Sequence, residues 1–199
     1  MAKRGETLEL AVLGLLHENP MHGYELRKQL TVVLGWGRVL SYGSLYPALK
    51  KMLRAGWLRE YVVPPEPGAP SSTGSAGPVT SRRPRITYEL TPEGYARFAA
   101  LTADSGPSSW EDDVFGVRFA FFGRTDRETR LRILEGRRTR LEERLERVKK
   151  QIDHLTGNDT YTAELQRHGL ESVEREVLWL SGLIDRERDD RPPAPDPTP

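Results

Sequence analysis

The sequence predicts a mainly α-helical chain in two parts, a basic front that includes one two-stranded β element and an acidic, purely helical rear. Three observations carry this. Apolar residues recur at spacings of three and four through most of the chain, and alternate at a spacing of two only near residues 57–63 and 85–90. A loop rich in Pro, Gly, Ser and Ala lies between those two alternating runs, and "SGPSS" (105–109) separates front from rear. Charge divides at nearly the same place. Residues 1–97 carry thirteen Lys/Arg against eight Asp/Glu, giving +5; residues 98–199 carry seventeen against twenty-one, giving −4; together they make the +1 of the chain. A polyanionic partner is therefore expected for the front alone.

Taken in order, the first helix is expected over about residues 6–18, where Leu8, Val12, Leu15 and Leu16 recur between Glu6-Thr7 and Asn19-Pro20. The second follows Gly23, with Tyr24, Leu26 and Leu30 apolar and Gly35 as its stop. "GWGRVL" connects it to the third, in which Leu45, Ala48, Leu49, Met52 and Leu53 form one apolar stripe that ends at Gly56. The opposite side holds Gly43, Ser44, Pro47, Lys50, Lys51 and Arg54, with Tyr46 at the border. Pro47 fits a first turn and favours Ser44 as N-cap; Ser41 is equally good capping chemistry, and the residues do not choose between them. "WLREYVV" (57–63) and "RITYEL" (85–90) read as strands. A helix then starts behind Thr91, with Pro92 at its first position and Glu93 next. In the rear, Leu131, Leu134, Arg138, Leu141, Leu145, Val148, Ile152 and Leu155 keep a 3,4 heptad spacing, and Leu170, Val173, Val177, Leu180 and Ile184 repeat it after the turn "GNDT". The expected domains are 1–104, with a long flexible loop at 64–84, and 110–188, followed by a disordered Pro/Asp-rich tail at 189–199.

Composition excludes several classes. With 199 residues, 37% hydrophobic and 30% charged, the interior is lean. There is no cysteine, hence no disulfide and no thiolate-metal frame. His17, His22, His154 and His168 are scattered without metal-ligand spacing, so no metal is expected. No apolar run approaches the ~18 residues of a membrane helix, and the N-terminus lacks a signal-peptide pattern, so a cytoplasmic protein with no membrane partner is expected. No nucleophile–base–acid order or Gly-rich phosphate loop is present, so neither enzyme activity nor a cofactor is expected.

Three helices followed by a two-stranded hairpin with a basic end is the order of a winged helix-turn-helix. One face of the third helix belongs to a core and the other is free of bulky apolar groups. Ser41, Tyr42, Ser44 and Tyr46 can donate hydrogen bonds to phosphates or base edges, and the helix N-terminus itself favours phosphate. Lys50 and Lys51 add counterion release. Arg82, Arg83 and Arg85, at the end of the loop, can reach a second groove. The bland reading is a solvated lysine face, a serine that merely caps, Trp57 and Tyr61 as hairpin packing, and arginines that keep a loop soluble. The alternative function is a winged helix that docks on a protein and binds no specific DNA.

Four stretches, "GYELRKQL" (23–30), "LSYGSLYPALKKMLRAGWL" (40–58), "RRPRITYELTPEGYARF" (82–98) and, more loosely, "DDVFGVRFAFFG" (112–123), resemble the PadR family of bacterial transcriptional regulators. The rest of the chain resembles the long C-terminal helical module of one of its subfamilies. The resemblance implies a dimeric winged-helix protein that binds double-stranded DNA, represses adjacent genes and is released by a small-molecule effector. Residue by residue, it assigns DNA contacts to Ser41, Tyr42, Ser44, Tyr46 and Lys50, and wing contacts to Arg82, Arg83 and Arg85. The 64–84 loop is much longer than the family's usual wing loop.

A winged helix reads few base pairs, and two recognition helices about 34 Å apart, one turn of DNA, read enough. The two heptad stripes supply the seam for a homodimer through Leu134, Leu141, Leu145, Val148, Ile152, Val177, Leu180 and Ile184, with Arg138 as a register residue. The bland reading packs both helices within one chain. Trp110, Phe115 and Phe119 are candidates for an effector pocket, with plain core as their bland reading.

Overall fold

A computed structural model describes residues 2–33, 42–63, 85–153 and 160–189. The predicted contacts Ser41, Arg82 and Arg83, the loop at 64–84 and the tail from residue 190 lie outside the described residues. The chain forms two compact units. One holds residues 1–102 with Phe119–Phe121; the other holds 103–118 and 122–199.

The first unit is a winged helix. Its elements are α1 (Ala2–Glu18), β1 (Met21–His22), α2 (Gly23–Val33), α3 (Tyr42–Arg54), β2 (Leu58–Val63), β3 (Arg85–Leu90) and α4, which runs from Pro92 to Ala103. Residues 7–16 of α1 are buried on every side, because α2, α3 and β3 all pack against this helix. Gly14 completes that packing: a Cβ there would lie 2.3 Å from Cζ of Phe121, so only glycine lets the ring rest on the helix backbone. Phe121 in turn meets Phe98 edge-on at 5.8 Å.

The wing is a three-stranded antiparallel sheet in the order β1-β3-β2, not the two-stranded hairpin expected from the sequence. The added strand pairs Met21 with Tyr88 and His22 with Thr87. Two residues behind a proline are too short to display a period of two, and this strand is fixed by its partner: Thr87 Oγ1 and His22 Nδ1 are 2.8 Å apart. Leu58 pairs with Leu90 and Val63 with Arg85, which sets the register of the hairpin.

The α3 helix begins at Tyr42, so Ser44 lies inside it and is not its N-cap. Pro47 is the sixth residue and not a first-turn residue. Lacking an N–H, it leaves the Gly43 carbonyl without its i+4 donor. The C-terminus closes as a Schellman motif. Trp57 N–H donates to the Met52 carbonyl (3.0 Å) and Gly56 N–H to that of Leu53 (3.1 Å). Gly56 sits at φ 73°, in the left-handed region that favours glycine. The α4 cap is the expected one: Gly94 N–H donates to Thr91 Oγ1 (3.1 Å), and the same hydroxyl donates to the Gly56 carbonyl (2.6 Å).

The second unit contains a 3-10 turn at Pro107–Trp110, most of α5 (Phe115–Ala120), a 3-10 turn at Phe122–Arg124, α6 (Arg127–Asp153) and α7 (Thr160–Arg188). Asp126 caps α6 by accepting from Thr129 N–H at 2.8 Å. The two long helices pack antiparallel, as their cross-links show. Arg130 grips both oxygens of Glu187 (2.9 and 2.8 Å), Lys149 meets Glu174 (3.1 Å), and Arg127 donates to the last α7 carbonyls, those of Glu187 and Arg188 (2.7 Å each).

Candidate nucleic-acid interface

The α3 helix divides cleanly by face. Leu45, Leu49 and Met52 are buried, Ala48 and Leu53 half-buried, and Ser44, Tyr46, Pro47, Lys50, Lys51 and Arg54 exposed. The 3,4 stripe that reads as core in the sequence is core here, and its burial holds the polar face outward. Tyr42 opens the helix and Arg85 opens β3, so two further sequence candidates sit at the starts of their elements.

The exposed residues differ in how they are held. Lys50 has no ion-pair partner among the described residues, and its ammonium is available to a polyanion. Tyr46 leans back over the start of α2: a Cβ on Gly23 would be 3.6 Å from its hydroxyl and 3.4 Å from the Tyr88 ring. It is therefore part of the joint between α3, α2 and the wing as well as part of the exposed face. Tyr88 is buried below it; burial raises the pKa of its phenol first, and the neighbouring Glu60 and Tyr46 raise it further.

Lys51 is the candidate whose placement departs most from the sequence reading. Its ammonium lies 3.6 Å from Glu9 Oε2, a carboxylate on α1 whose side chain is only 3% exposed. Arg97 of α4 donates to Glu9 Oε1 from Nε (2.7 Å) and approaches it from Nη2 (2.6 Å). The Arg97 guanidinium also stands 5.0 Å over the Trp57 ring. Behind Trp57 the fit is tight: a Cβ on Gly94 would lie 2.1 Å from the Trp57 carbonyl oxygen. One buried carboxylate thus ties α1, α3 and α4 together and fixes the end of α3. Sequence reasoning passed over Glu9 and Arg97. The available signal was a lone acid inside "LELAVLGLL", where apolar residues occupy every face of the helix.

Along the wing, Arg59 pairs with Glu89 across the strands. Tyr61, Val62 and Ile86 are exposed, with Val62 and Ile86 directly opposite one another.

In the second unit, Leu134, Leu141, Leu180 and Ile184 are already buried within one chain. Leu145, Val148 and Val177 are half-buried, and Ile152 lies in the last turn of α6. Arg138 meets Glu142 of its own helix at 3.6 Å. Of the effector candidates, Trp110 is laid flat on Gly136, where a Cβ would be 2.3 Å from the indole. Phe115 is buried beside Arg137, 5.3 Å from its guanidinium, and meets Trp179 edge-on. Both are packing groups of the helical unit. Phe119 is half-buried. No group of three or more potential metal ligands occurs among the described residues, and none of the described helices is long and apolar enough to cross a membrane.

Residues 12–71, which contain α2, α3 and β2, match the model of the transcriptional regulator PadR-like family. No curated protein matches the chain in sequence. Among solved structures it is similar to Bacillus subtilis PadR in complex with operator DNA, at 17% identity and a TM-score of 0.41, covering 90% of this chain and 98% of that one. It is similar to smu.1604c of Streptococcus mutans at 17% identity and a TM-score of 0.39, covering 92% and 96%. It is also similar to Bacillus subtilis PadR in complex with p-coumaric acid, at 17% identity and a TM-score of 0.39, covering 92% and 97%. The PadR-like segment takes in the whole of α3, including its exposed Ser44, Tyr46 and Lys50.

Proposed function

We propose that this PadR-like protein is a sequence-specific DNA-binding transcriptional regulator. It binds a palindromic operator as a homodimer, represses from it, and is released by a small-molecule effector. The observation that carries the reading is the two-faced α3 helix. Its apolar stripe is buried or half-buried, while Ser44, Tyr46 and Lys50 are exposed beside Pro47. Such a face has the donors and the positive charge that a DNA groove requires. Tyr42 and Arg85, with Ser41, Arg82 and Arg83, extend the proposed contact set.

The homodimer is proposed through Leu145, Val148 and Val177 together with the exposed apolar residues of α7. Leu178 is 72% exposed and Leu165 71%, and Trp179 is also exposed. Apolar side chains of that size on a long helix are the surface that a second copy covers.

The test is fluorescence anisotropy of the purified protein with its own upstream DNA and with a scrambled duplex of equal length. Saturable binding that strongly prefers the upstream DNA, with two protomers per site, supports the reading. Equal, weak affinity for both duplexes at every upstream segment tried overturns it in favour of a protein-docking winged helix.

A further inference from the structure

The α6 helix is crowded with arginines, and most of them are neutralised. Arg130 pairs with Glu187, Arg132 with Glu128, Arg137 with Asp112 and Glu176, and Arg138 with Glu142. Arg140 and Arg147 are different. Among the described residues neither has an ion-pair partner; the one recorded bond is from Arg147 Nε to the Glu143 carbonyl at 3.3 Å. Arg144 lies between them and reaches Asp112 at 3.6 Å.

These three arginines stand at i, i+4 and i+7, on one face of the helix. They line a cavity of about 340 Å³, together with Asp112, Leu141 and Val148. Among the described residues its one acid, Asp112, is already engaged. Burial opposes ionisation of Asp112, but the hydrogen bond and charge of Arg137, with the charges of Arg144 and Arg140, outweigh it and hold the carboxyl below its usual range. Three positive charges against one negative leave the lining at a net +2. Leu141 and Val148 add an apolar wall.

We propose that this pocket binds a small organic dianion, a phosphate monoester whose oxygens sit among Arg140, Arg144 and Arg147 and whose body lies on Leu141 and Val148. Arginine is the side chain suited to this, because its planar guanidinium matches two oxyanion atoms at once and stays charged at any working pH. The cavity is at the small end of ligand pockets, larger than a bare ion needs and the right scale for a compact metabolite. The site lies within the helical unit and shares Val148 with the proposed dimer contact; the proposal does not depend on the DNA reading.

The experiment is isothermal titration of the full chain with inorganic phosphate and with phenyl phosphate, with ionic strength held constant by chloride. Saturable binding of both is expected, tighter for phenyl phosphate because of the apolar wall. Arg140→Gln/Arg147→Gln should weaken it by about tenfold or more, the loss of one to two charge-assisted contacts. Arg132→Gln/Arg167→Gln removes the same charge from other parts of the helices and should leave affinity unchanged. Phosphate binding without a gain for phenyl phosphate retains the anion site and makes free phosphate its occupant. Absence of saturable heat with either probe overturns the proposal, as does equal weakening by both double variants. If the first double variant unfolds, the Nε–Hε resonances of Arg140 and Arg147 in the unaltered chain decide the matter. They must move on phosphate addition and stay still on chloride addition.

Discussion

Replacing Arg97 by alanine leaves the Glu9 carboxylate, whose side chain is 3% exposed, with only the Lys51 ammonium at 3.6 Å. Removing one partner of a buried ion pair typically costs about 3–5 kcal/mol, and the low exposure of Glu9 puts Arg97→Ala in that range. Glu9→Gln removes the charge but keeps an acceptor oxygen in place. Arg97, a third exposed, then finds water for part of its guanidinium. The loss is that of hydrogen bonds to a charged group, about 1.5–3 kcal/mol. Lys51→Ala removes an ammonium that is 70% exposed and touches Glu9 only at long range, so about 0–1 kcal/mol is expected. The predicted order is therefore Arg97→Ala, then Glu9→Gln, then Lys51→Ala. Thermal unfolding followed by far-UV circular dichroism reads this order directly. For a unit of about 100 residues each kcal/mol moves the midpoint by about 4–8 °C, so Arg97→Ala should lower it by more than about 12 °C. A double-mutant cycle between Glu9 and Arg97 should return a coupling above about 1 kcal/mol. Lys51→Ala as damaging as Arg97→Ala, or a neutral Glu9→Gln, would refute the idea that one buried carboxylate anchors α3.

Other changes test separate parts of the account. Gly14→Ala drives a methyl into Phe121 and should destabilise the first unit by about 1–3 kcal/mol, measured by urea unfolding. Thr91→Ala removes a cap and a second hydrogen bond to Gly56 and should cost about 1–2 kcal/mol, whereas Thr91→Ser should cost little. Gly136→Ala pushes the Trp110 ring off α6, and a shift in indole emission should appear without loss of helix content. Leu145→Asp places a charge in the proposed dimer contact; sedimentation should give the monomer mass, and an unchanged dimer mass would remove Leu145 from that contact.

What could be read from residues alone was whatever a local rule fixes. The α3 stripe, the Gly56 stop and the Thr91 cap each depend on a few neighbours, and each stands where the spacing placed it. Pro47 misled because one proline is compatible with several helix starts, and the start is set by residues upstream of it. The β1 strand was hidden because two residues carry no periodicity; its existence depends on Thr87 and Tyr88, far along the chain. The Glu9–Arg97 pair was hidden for the same reason, since partners 88 residues apart share no local pattern. The heptads of α6 and α7 were visible as apolar seams, but a 3,4 spacing describes a helix that packs within its own chain as well as one that packs on another. Burial of Leu134, Leu141, Leu180 and Ile184 within one chain was therefore beyond its reach.

The proposed function lays the exposed face of α3 in a DNA groove, and Lys50 tests this most directly because no carboxylate among the described residues pairs with it. The measurement is the slope of log affinity against log salt for upstream DNA, for the unaltered chain and for Lys50→Ala. The account predicts specific, salt-sensitive binding, a slope shallower by about 1 in the variant, and an unchanged dimer mass. An identical slope and affinity in the variant would mean that this face of the helix meets something other than DNA.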